Sequence, residues 1–389
     1  MDKAIIVCID FRDPSFEESV EEIKLLVKSA GVKTLGILFG RRDRPDAALY
    51  AGKGKIQELA ELVTDSGADL VVFNHAISPV QQRNIERLVK CRTLDRTSLI
   101  LDIFAQRART HEGKVQVELA QLNHLATRLI RGWTHLERQK GGIGLRGPGE
   151  TQLETDRRLL GFRVKSLKTK LAVIEKQRKT RRRNRSRRGV LKISLVGYTN
   201  AGKSSLFNRL TKSNALSADQ LFATLDTTTR KLAYVDQTEM VMSDTVGFIR
   251  DLPHSLVEAF KATLEETADS DILFHVIDAS SRSVEFEMDQ VQAVLREIGA
   301  EKVPQICIFN KIDLTELKPG IERLPCGTIK RVYLSALTGE GIEQFRELFP
   351  ELLLFTDKEK STERAISVLD QRILNTSYTH NLSGKNLWQ

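Results

Sequence analysis

The segment from Gly197 to Ser204, Gly-Tyr-Thr-Asn-Ala-Gly-Lys-Ser, constrains this chain more than any other feature. It follows an apolar run, 191–196, that is typical of a buried strand, and a helical pattern begins directly after it at 205–210. The glycines let backbone N–H groups turn towards one anion, and the start of the helix adds a favourable dipole. A strand, a glycine-rich loop of this spacing and a helix together predict a phosphate-binding loop in an α/β domain.

The residue types within this loop predict how it would bind a nucleotide. Lys203 supplies a positive charge to the outer phosphates, and the Ser204 hydroxyl can ligate Mg²⁺. We expect the whole loop to contribute to the nucleotide site, and its members are Gly197, Tyr198, Thr199, Asn200, Ala201, Gly202, Lys203 and Ser204.

Three further motifs follow in order, each at the end of an apolar run that favours a strand. They are Asp244-Thr245-Val246-Gly247 after 240–243, Asn310-Lys311-Ile312-Asp313 after 306–309, and Ser335-Ala336-Leu337 after 331–334. We expect Asp244 to hold Mg²⁺ through water. Gly247 lets its N–H approach the γ-phosphate.

The base is predicted to be guanine because of Asp313. Its carboxylate can accept hydrogen bonds from the ring N–H and the exocyclic amine of guanine, whereas adenine lacks that amine and would leave the carboxylate unpaired. Backbone N–H groups of residues 335–337 can bind the guanine oxygen. The four motifs together predict a doubly wound domain that binds GTP or GDP and hydrolyses GTP with Mg²⁺.

A fifth segment, Phe222-Ala223-Thr224-Leu225-Asp226-Thr227-Thr228-Thr229-Arg230, lies between the phosphate loop and Asp244. A GTP switch needs a threonine here that reaches Mg²⁺ only when the γ-phosphate is present. We predict Thr224 because Phe-Ala-Thr-Leu resembles the corresponding loop of translation-associated GTPases; the triplet 227–229 is the alternative. The predicted catalytic residues are therefore Lys203, Thr224 and Gly247, the metal ligands are Ser204, Thr224 and Asp244, and residues 222–226 join the nucleotide site.

The first 110 residues alternate apolar runs with amphipathic runs, which predicts a parallel sheet covered by helices. Strands are expected at 4–9, 34–39 and 69–74, and helices at 15–30, 55–65 and 79–90. Gly52-Lys53-Gly54-Lys55 lies at a helix start and could contact phosphate. It lacks the spacing of a known phosphate loop, so we favour a loop and helix cap. Whether this region binds a second nucleotide stays open.

Two heptad seams follow, typical of helices that pack against each other. The first contains Val115, Leu119, Leu122, Ala126, Leu129, Trp133 and Leu136, and the second contains Leu160, Val164, Leu167, Leu171 and Ile174. The glycine-rich stretch 141–149 between them cannot be helical. Thr151 and Glu154 look like a capping box. The pattern predicts an antiparallel hairpin with arms of about 40 Å and a glycine-rich tip.

The positive charge of the chain is concentrated in this hairpin. Residues 113–190 contain 21 Lys and Arg but 6 Asp and Glu, a net charge of +15. Because the whole chain carries +9, the remainder sums to −6. The densest run is 176–188. So many like charges favour a nucleic-acid partner, which gains affinity through counterion release; a solvated helix end and linker is the alternative.

The cysteines and the short apolar runs indicate in which cellular compartment the protein is expected. The four cysteines are far apart in sequence, which predicts free thiols in a reducing compartment and argues against a structural zinc site. The apolar run 4–9 ends at Asp10 and is too short for a signal peptide. No stretch reaches the about eighteen apolar residues of a membrane span. We therefore expect a cytoplasmic protein without stable membrane insertion, and a monomer by default.

Over about residues 1–355 the chain resembles the HflX family of GTPases. The resemblance rests on Gly144-Leu145-Arg146-Gly147-Pro148-Gly149-Glu150-Thr151-Gln152-Leu153-Glu154-Thr155-Asp156-Arg157-Arg158 and on the motifs at 197–204, 222–226, 244–247 and 310–313. It implies a GTPase that binds the large ribosomal subunit and its ribosomal RNA. It also implies a role in splitting or rescuing stalled ribosomes, including in heat stress, or in subunit maturation. A GTPase switch acting on non-ribosomal RNA or in tRNA modification is the alternative.

Four regions follow from these patterns: an N-terminal α/β domain at 1–112, a basic helical hairpin at 113–189, a P-loop GTPase domain at 190–355 and a polar tail at 356–389. Many family members carry a small α/β domain at the C-terminus, and the 34 residues after Phe355 are short and polar for one. Whether ribosome splitting or assembly is the main task is left open by the sequence.

Two residues near the phosphates have competing interpretations. Asn200 resembles the asparagine of GTPases that use K⁺ as a charge-neutralising cofactor, but it can equally serve as a loop-shaping hydrogen-bonding group. Phe248 follows Gly247 where Ras-type GTPases carry a glutamine, and a phenyl ring cannot orient water. We therefore predict slow intrinsic hydrolysis and acceleration by the ribosome.

Overall fold

The computed structural model describes residues 2–132, 148–186, 190–212, 220–235, 238–250, 261–325, 327 and 329–353. These residues form two β-sheets with flanking helices, and two long helices lie between the sheets in sequence. The mixed α/β class predicted from sequence is confirmed. The predictions for Trp133 and Leu136, for loop residues 141–147 and for the tail 356–389 lie outside the described residues.

The first sheet is fully parallel, with strand order β2-β1-β3-β4. Strand β1 is apolar on both faces: Ala4 and Ile6 join one hydrophobic cluster, whereas Ile5 and Val7 join another on the opposite face. This alternation lets helices cover both sides of the sheet. The elements are β1 Lys3–Asp10, α1 Phe16–Ser29, β2 Lys33–Arg41, α2 Lys53–Ser66, β3 Leu70–Phe73, α3 Pro79–Val89, β4 Arg92–Asp95 and α4 Arg96–Arg107.

Strand β4 and helix α4 were not predicted. The strand has only four residues, and the helix begins at the next one. Asp95 ends the strand and also caps the helix, because its side chain accepts a hydrogen bond of 2.9 Å from the backbone N–H of Ser98. No turn residue separates the two elements, so the sequence lacks the usual boundary signal.

The second sheet has the strand order β10-β11-β9-β8-β5-β7-β6. Its five central strands are parallel, and an antiparallel strand closes each edge. The carboxyl ends of the parallel strands therefore meet at one side of the sheet, where doubly wound folds bind their ligands. The elements are β5 Leu191–Val196, α7 Lys203–Thr211, β6 Thr228–Val235, β7 Thr238–Asp244, α8 Lys261–Ala268, β8 Ile272–Asp278, α9 Val284–Glu297, β9 Gln305–Asn310, β10 Gly320–Arg323, β11 Ile329–Tyr333 and α10 Ile342–Glu347.

The two helices of the predicted hairpin are α5 His111–Gly132 and α6 Pro148–Ser186. They pack through their predicted seams, with Val115, Leu119 and Leu167 buried in one cluster. Helix α6 begins at Pro148 rather than near Thr151, since proline suits a first helical position that needs no N–H donor. Pro148 and Gly149 therefore belong to the helix and not to the predicted tip loop.

The C-terminal part of α5 is fixed to the first sheet by a mostly buried polar network. Arg128 of α5 forms an ion pair of 2.5 Å with Asp95 and a hydrogen bond of 2.8 Å with His124. The Ser98 hydroxyl lies 3.0 Å from the same histidine ring. Because Asp95 also caps α4, α5 is held to the N-terminal sheet as far along as Arg128.

Candidate nucleotide site and switch loops

The phosphate-binding loop connects β5 to α7, as the sequence predicts, and lies at the carboxyl edge of the second sheet. Gly202 has a φ of 91°, which disfavours any residue with a side chain. A Cβ there would also overlap the side-chain nitrogen of Asn310, which donates a hydrogen bond of 2.9 Å to the carbonyl of Ala201. The loop and the Asn310 motif are thus directly joined.

Lys203 is buried within this loop. Its ammonium group donates hydrogen bonds to the carbonyl oxygens of Gly197, at 3.0 Å, and of Tyr198, at 2.7 Å. Burial lowers the pKa of Lys203 to about 8, against the opposing effect of nearby Asp244. Phosphate oxygens would supply the negative charge that this buried cation lacks. Gly247 lies close beside the ammonium group, as expected for a residue near the γ-phosphate.

Three oxygen-bearing side chains converge next to the loop. The Ser204 hydroxyl donates to Asp244 Oδ2 at 2.7 Å and lies 2.8 Å from the Thr224 hydroxyl, which in turn donates to Asp244 Oδ2 at 2.8 Å. The other carboxylate oxygen of Asp244 is buried without a hydrogen-bond partner. Burial raises the pKa of Asp244, and the bonds from Ser204 and Thr224 oppose that rise. A buried carboxylate with hydroxyls beside it fits Mg²⁺, which prefers hard oxygen ligands.

The structure separates the competing threonines of the switch loop. Thr224 is the one that reaches Ser204 and Asp244. Thr228 and Thr229 belong to β6, where the Thr229 hydroxyl lies 2.9 Å from that of Ser243. The geometry therefore favours Thr224 over the triplet 227–229.

Not all residues of the switch loop face the nucleotide pocket. Phe222, Ala223 and Thr224 line it, together with Ser205 and Gln220, which the sequence motifs did not include. Leu225 is buried in a hydrophobic cluster instead. The structure does not bring Asp226 into the pocket lining, because its carboxylate is directed to Arg109 and Thr110, the two residues directly before α5.

The predicted base subsite forms where β9 and β11 end. Asn310 accepts a hydrogen bond of 2.8 Å from the backbone N–H of Ala336, and the Ser335 hydroxyl donates to Asp313 at 2.5 Å. Asp313 is exposed and free to meet a base edge, and Leu337 is 78% exposed beside it. Lys311 pairs with Asp278 at 2.6 Å, while Ile312 is buried. Asn310 thus links the phosphate loop to the motif after β11, and these motifs form one surface suited to a purine.

Comparisons with known proteins identify the family of the chain. Its residues 17–105 match the family model described as GTP-binding GTPase N-terminal, 107–185 match GTP-binding GTPase Middle Region, and 192–311 match 50S ribosome-binding GTPase. The chain is 55% identical to GTPase HflX of Escherichia coli (strain K12) over 353 residues, 90% of this chain and 83% of that protein. The chain belongs to the HflX family of GTPases. The predicted family, GTP-hydrolase activity and GTP or GDP binding are therefore confirmed.

Other similar proteins agree with this assignment. GTPase HflX of Caldanaerobacter subterraneus subsp. tengcongensis is 45% identical over 355 residues, covering 90% of this chain and 81% of its own. The crystal structure of SsGBP in complex with GDP matches with a TM-score of 0.52 and 25% identity, covering 90% of this chain and 98% of that one. Within the described ranges, no helix is both long and apolar enough to cross a membrane.

In this HflX-family GTPase, helices α1 and α4 of the N-terminal unit directly contact the phosphate-binding loop and Arg250. The Tyr198 hydroxyl donates to Glu22 of α1 at 2.6 Å and accepts from the backbone N–H of Arg250 at 2.7 Å. Arg96 of α4 pairs with the same glutamate and donates to the carbonyl of Arg250 at 3.2 Å. No sequence motif indicates this network, since its members come from four separate segments.

The ring of Phe248 also belongs to this contact. It is 1% exposed and lies in the hydrophobic cluster that contains Phe104 and Phe222. Its backbone N–H donates to the carbonyl of Gly197 at 3.1 Å, and its carbonyl accepts from Thr199 at 2.6 Å. The side chain that replaces the water-orienting glutamine is therefore packed away from the phosphate loop.

Proposed function

We propose that this HflX-family GTPase binds the large ribosomal subunit through its helical hairpin, and that GTP hydrolysis controls ribosome splitting and rescue or subunit maturation. The observation that carries the proposal is the basic surface of α6. This helix has 13 basic and 4 acidic residues, and at 1.5 Å per residue its 39 residues extend about 58 Å. Such a rod suits a cavity walled by RNA, whose phosphates neutralise the repelling charges.

The described side chains of α6 agree with an RNA-facing role. Besides Arg163, six described basic residues are exposed along it: Arg157, Arg158, Lys165, Lys168, Lys170 and Lys176. Phe162 is 64% exposed among them, and aromatic rings of this kind can stack on unpaired bases. Arg163 instead pairs with Glu118 of α5 and helps to hold the two helices together.

Ser204, Thr224 and Asp244 would hold Mg²⁺ when GTP is bound. Bound there, the ion supplies charge neutralisation to the β- and γ-phosphates. Lys203 would exchange its carbonyl partners for phosphate oxygens, and the backbone N–H of Gly247 would approach the γ-phosphate. The phenyl ring of Phe248 cannot orient the attacking water. This supports slow turnover until a partner supplies that function.

The proposal is tested by sedimenting the protein with purified ribosomal subunits in the presence of a GTP analogue or GDP. We expect co-sedimentation with the large subunit to be stronger with the analogue. Replacing Arg181, Arg182 and Arg183 with glutamine should lower affinity and flatten its salt dependence by a slope of up to about 2.7, because each phosphate contact contributes about 0.9.

The matched control replaces three exposed basic residues outside the hairpin, Lys28, Arg296 and Lys302, with glutamine. This control makes the same change in net charge and should leave the salt slope near that of the unaltered protein. Absence from the large-subunit fraction in both nucleotide states would defeat the proposal and favour a switch acting on other RNA. Equal slopes for the two triple variants would assign the run 181–183 to solvent.

We also propose that K⁺ assists hydrolysis through Asn200. This residue lines the phosphate pocket, but its φ of 62° is also a conformation that asparagine tolerates well, so loop shaping remains the competing role. We expect faster turnover in K⁺ than in Na⁺ at matched ionic strength. Asn200→Gly keeps the backbone conformation accessible and removes the amide oxygen, so it should lose that cation preference. Equal turnover of the unaltered protein in the two salts would exclude the K⁺ role.

A further inference from the structure

We infer that Asp226 couples the switch loop to the helical hairpin by holding Arg109 and Thr110, the residues that lead directly into α5. Its carboxylate accepts hydrogen bonds of 2.8 Å from the backbone N–H groups of both Arg109 and Thr110, and one of 2.5 Å from the Thr110 hydroxyl. Thr110 then caps the helix, because its hydroxyl accepts a bond of 2.9 Å from the N–H of Gly113. Residues 116 positions apart in sequence therefore form one polar junction.

The surroundings of Asp226 favour an aspartate at this position. A carboxylate at a helix N-terminus is favoured by the helix dipole, and this one also accepts bonds from the two backbone N–H groups that precede the helix. Gly113 leaves the space that the carboxylate occupies, since a Cβ at this position would overlap Asp226 Oδ1. Glycine within a helix costs stability relative to alanine, so the absence of a side chain here serves the contact with Asp226 rather than the helix.

Asp226 lies only two residues after Thr224, the switch residue that reaches Ser204 and Asp244. Two residues of extended chain span at most about 7 Å, so a large displacement of Thr224 must also move Asp226. The intervening Leu225 is buried in a cluster that also contains Phe104 of α4. The segment from Thr224 to Asp226 can therefore lengthen only a little between the proposed metal ligands and the hairpin.

The other end of the switch loop is attached to the same N-terminal unit. The backbone N–H of Leu221 donates to the Ser29 hydroxyl at 2.9 Å, and the rings of Phe222 and Phe104 pack edge to face with centroids 4.7 Å apart. Arg128 fixes α5 to that unit as well. A force on the hairpin would consequently reach Thr224 through Asp226, and by reciprocity the nucleotide state would bias the hairpin.

This coupling is tested first in the isolated protein, without any ribosomal component. Hydrogen exchange of the amides at 109–116 is compared with GDP–Mg²⁺ and with a GTP analogue and Mg²⁺. We expect exchange to be at least about threefold slower with the analogue, because Thr224 drawn to the metal fixes Asp226 on α5. Asp226→Asn should abolish that difference, since the amide presents one acceptor oxygen and no charge.

Two further variants keep the result interpretable. Gly113→Ala leaves Asp226 in the sequence but blocks its place, and should abolish the same difference although alanine favours the helix. Asp46→Asn is the matched control, because Asp46 also accepts two backbone N–H bonds, from Ala48 at 2.9 Å and Leu49 at 2.7 Å, far from the switch. Nucleotide-independent exchange in the unaltered protein, or a difference retained in both Asp226→Asn and Gly113→Ala, would overturn the inference.

A second measurement rests on the proposed function. Stimulation of GTP turnover by large ribosomal subunits should fall by at least about tenfold in Asp226→Asn and Gly113→Ala, while subunit binding stays within about threefold of the control. Full stimulation in both variants would contradict the coupling. If the unaltered protein is neither bound nor stimulated by the subunit, the proposed partner fails, and the exchange measurement still decides the coupling.

Discussion

Asp313→Asn is expected to weaken GTP binding by about 10²- to 10⁴-fold, the largest loss of affinity that a single substitution in this site should cause. The carboxylate is exposed at the end of β9 and oriented by the Ser335 hydroxyl, so its two oxygens can meet the ring N–H and amine of guanine. An asparagine amide would place a donor against one of those donors. Equilibrium titration with fluorescent GTP measures the loss.

Xanthosine triphosphate distinguishes a changed base preference from a damaged fold. Xanthine carries an oxygen where guanine carries its amine, so the asparagine amide can donate to it, and Asp313→Asn should bind this nucleotide better than GTP. Asp289→Asn, an exposed aspartate of α9, makes the same charge change away from the site and should bind GTP normally. Unchanged GTP affinity in Asp313→Asn would remove Asp313 from base recognition.

Thr224→Ala is expected to lower the rate of GTP hydrolysis by about 10²- to 10³-fold at saturating nucleotide. The substitution removes one of the three oxygens that converge on the proposed Mg²⁺ position, and it leaves Asp244 Oδ2 with one hydroxyl partner instead of two. Single-turnover measurements at several Mg²⁺ concentrations separate weaker metal binding from slower chemistry.

Two related variants define the role of the hydroxyl. Thr224→Ser retains it and should recover most of the rate. Thr229→Ala removes a hydroxyl at the start of β6. That hydroxyl lies 2.9 Å from the Ser243 hydroxyl and does not contact the proposed metal ligands, so the substitution should cost much less. Equal losses for Thr224→Ala and Thr229→Ala would contradict the choice of Thr224.

Parts of the fold with repeated local patterns were predictable. Strand β5 was predicted with its observed bounds, and the seams of α5 and α6 meet at Val115, Leu119 and Leu167, because strand runs and heptads are short-range signals. The start of α6 was misplaced, since glycine content outweighed the suitability of Pro148 for a first helical position. Strand β4 was missed because four residues without flanking turns carry almost no pattern.

The sequence by itself determined the nucleotide chemistry. Each binding motif is contiguous and follows a parallel strand, so the sheet topology alone brings Ser204, Asp244 and Asp313 to one edge. Only the tertiary structure decided which threonine joins them and where Asp226 points. The position of Asp226 depends on Arg109, Thr110 and Gly113, which lie more than a hundred residues away, and on the space available beside them. Local spacing encodes a loop that binds phosphate, whereas the partners of a switch depend on which distant backbone N–H groups the packed domains leave unsatisfied.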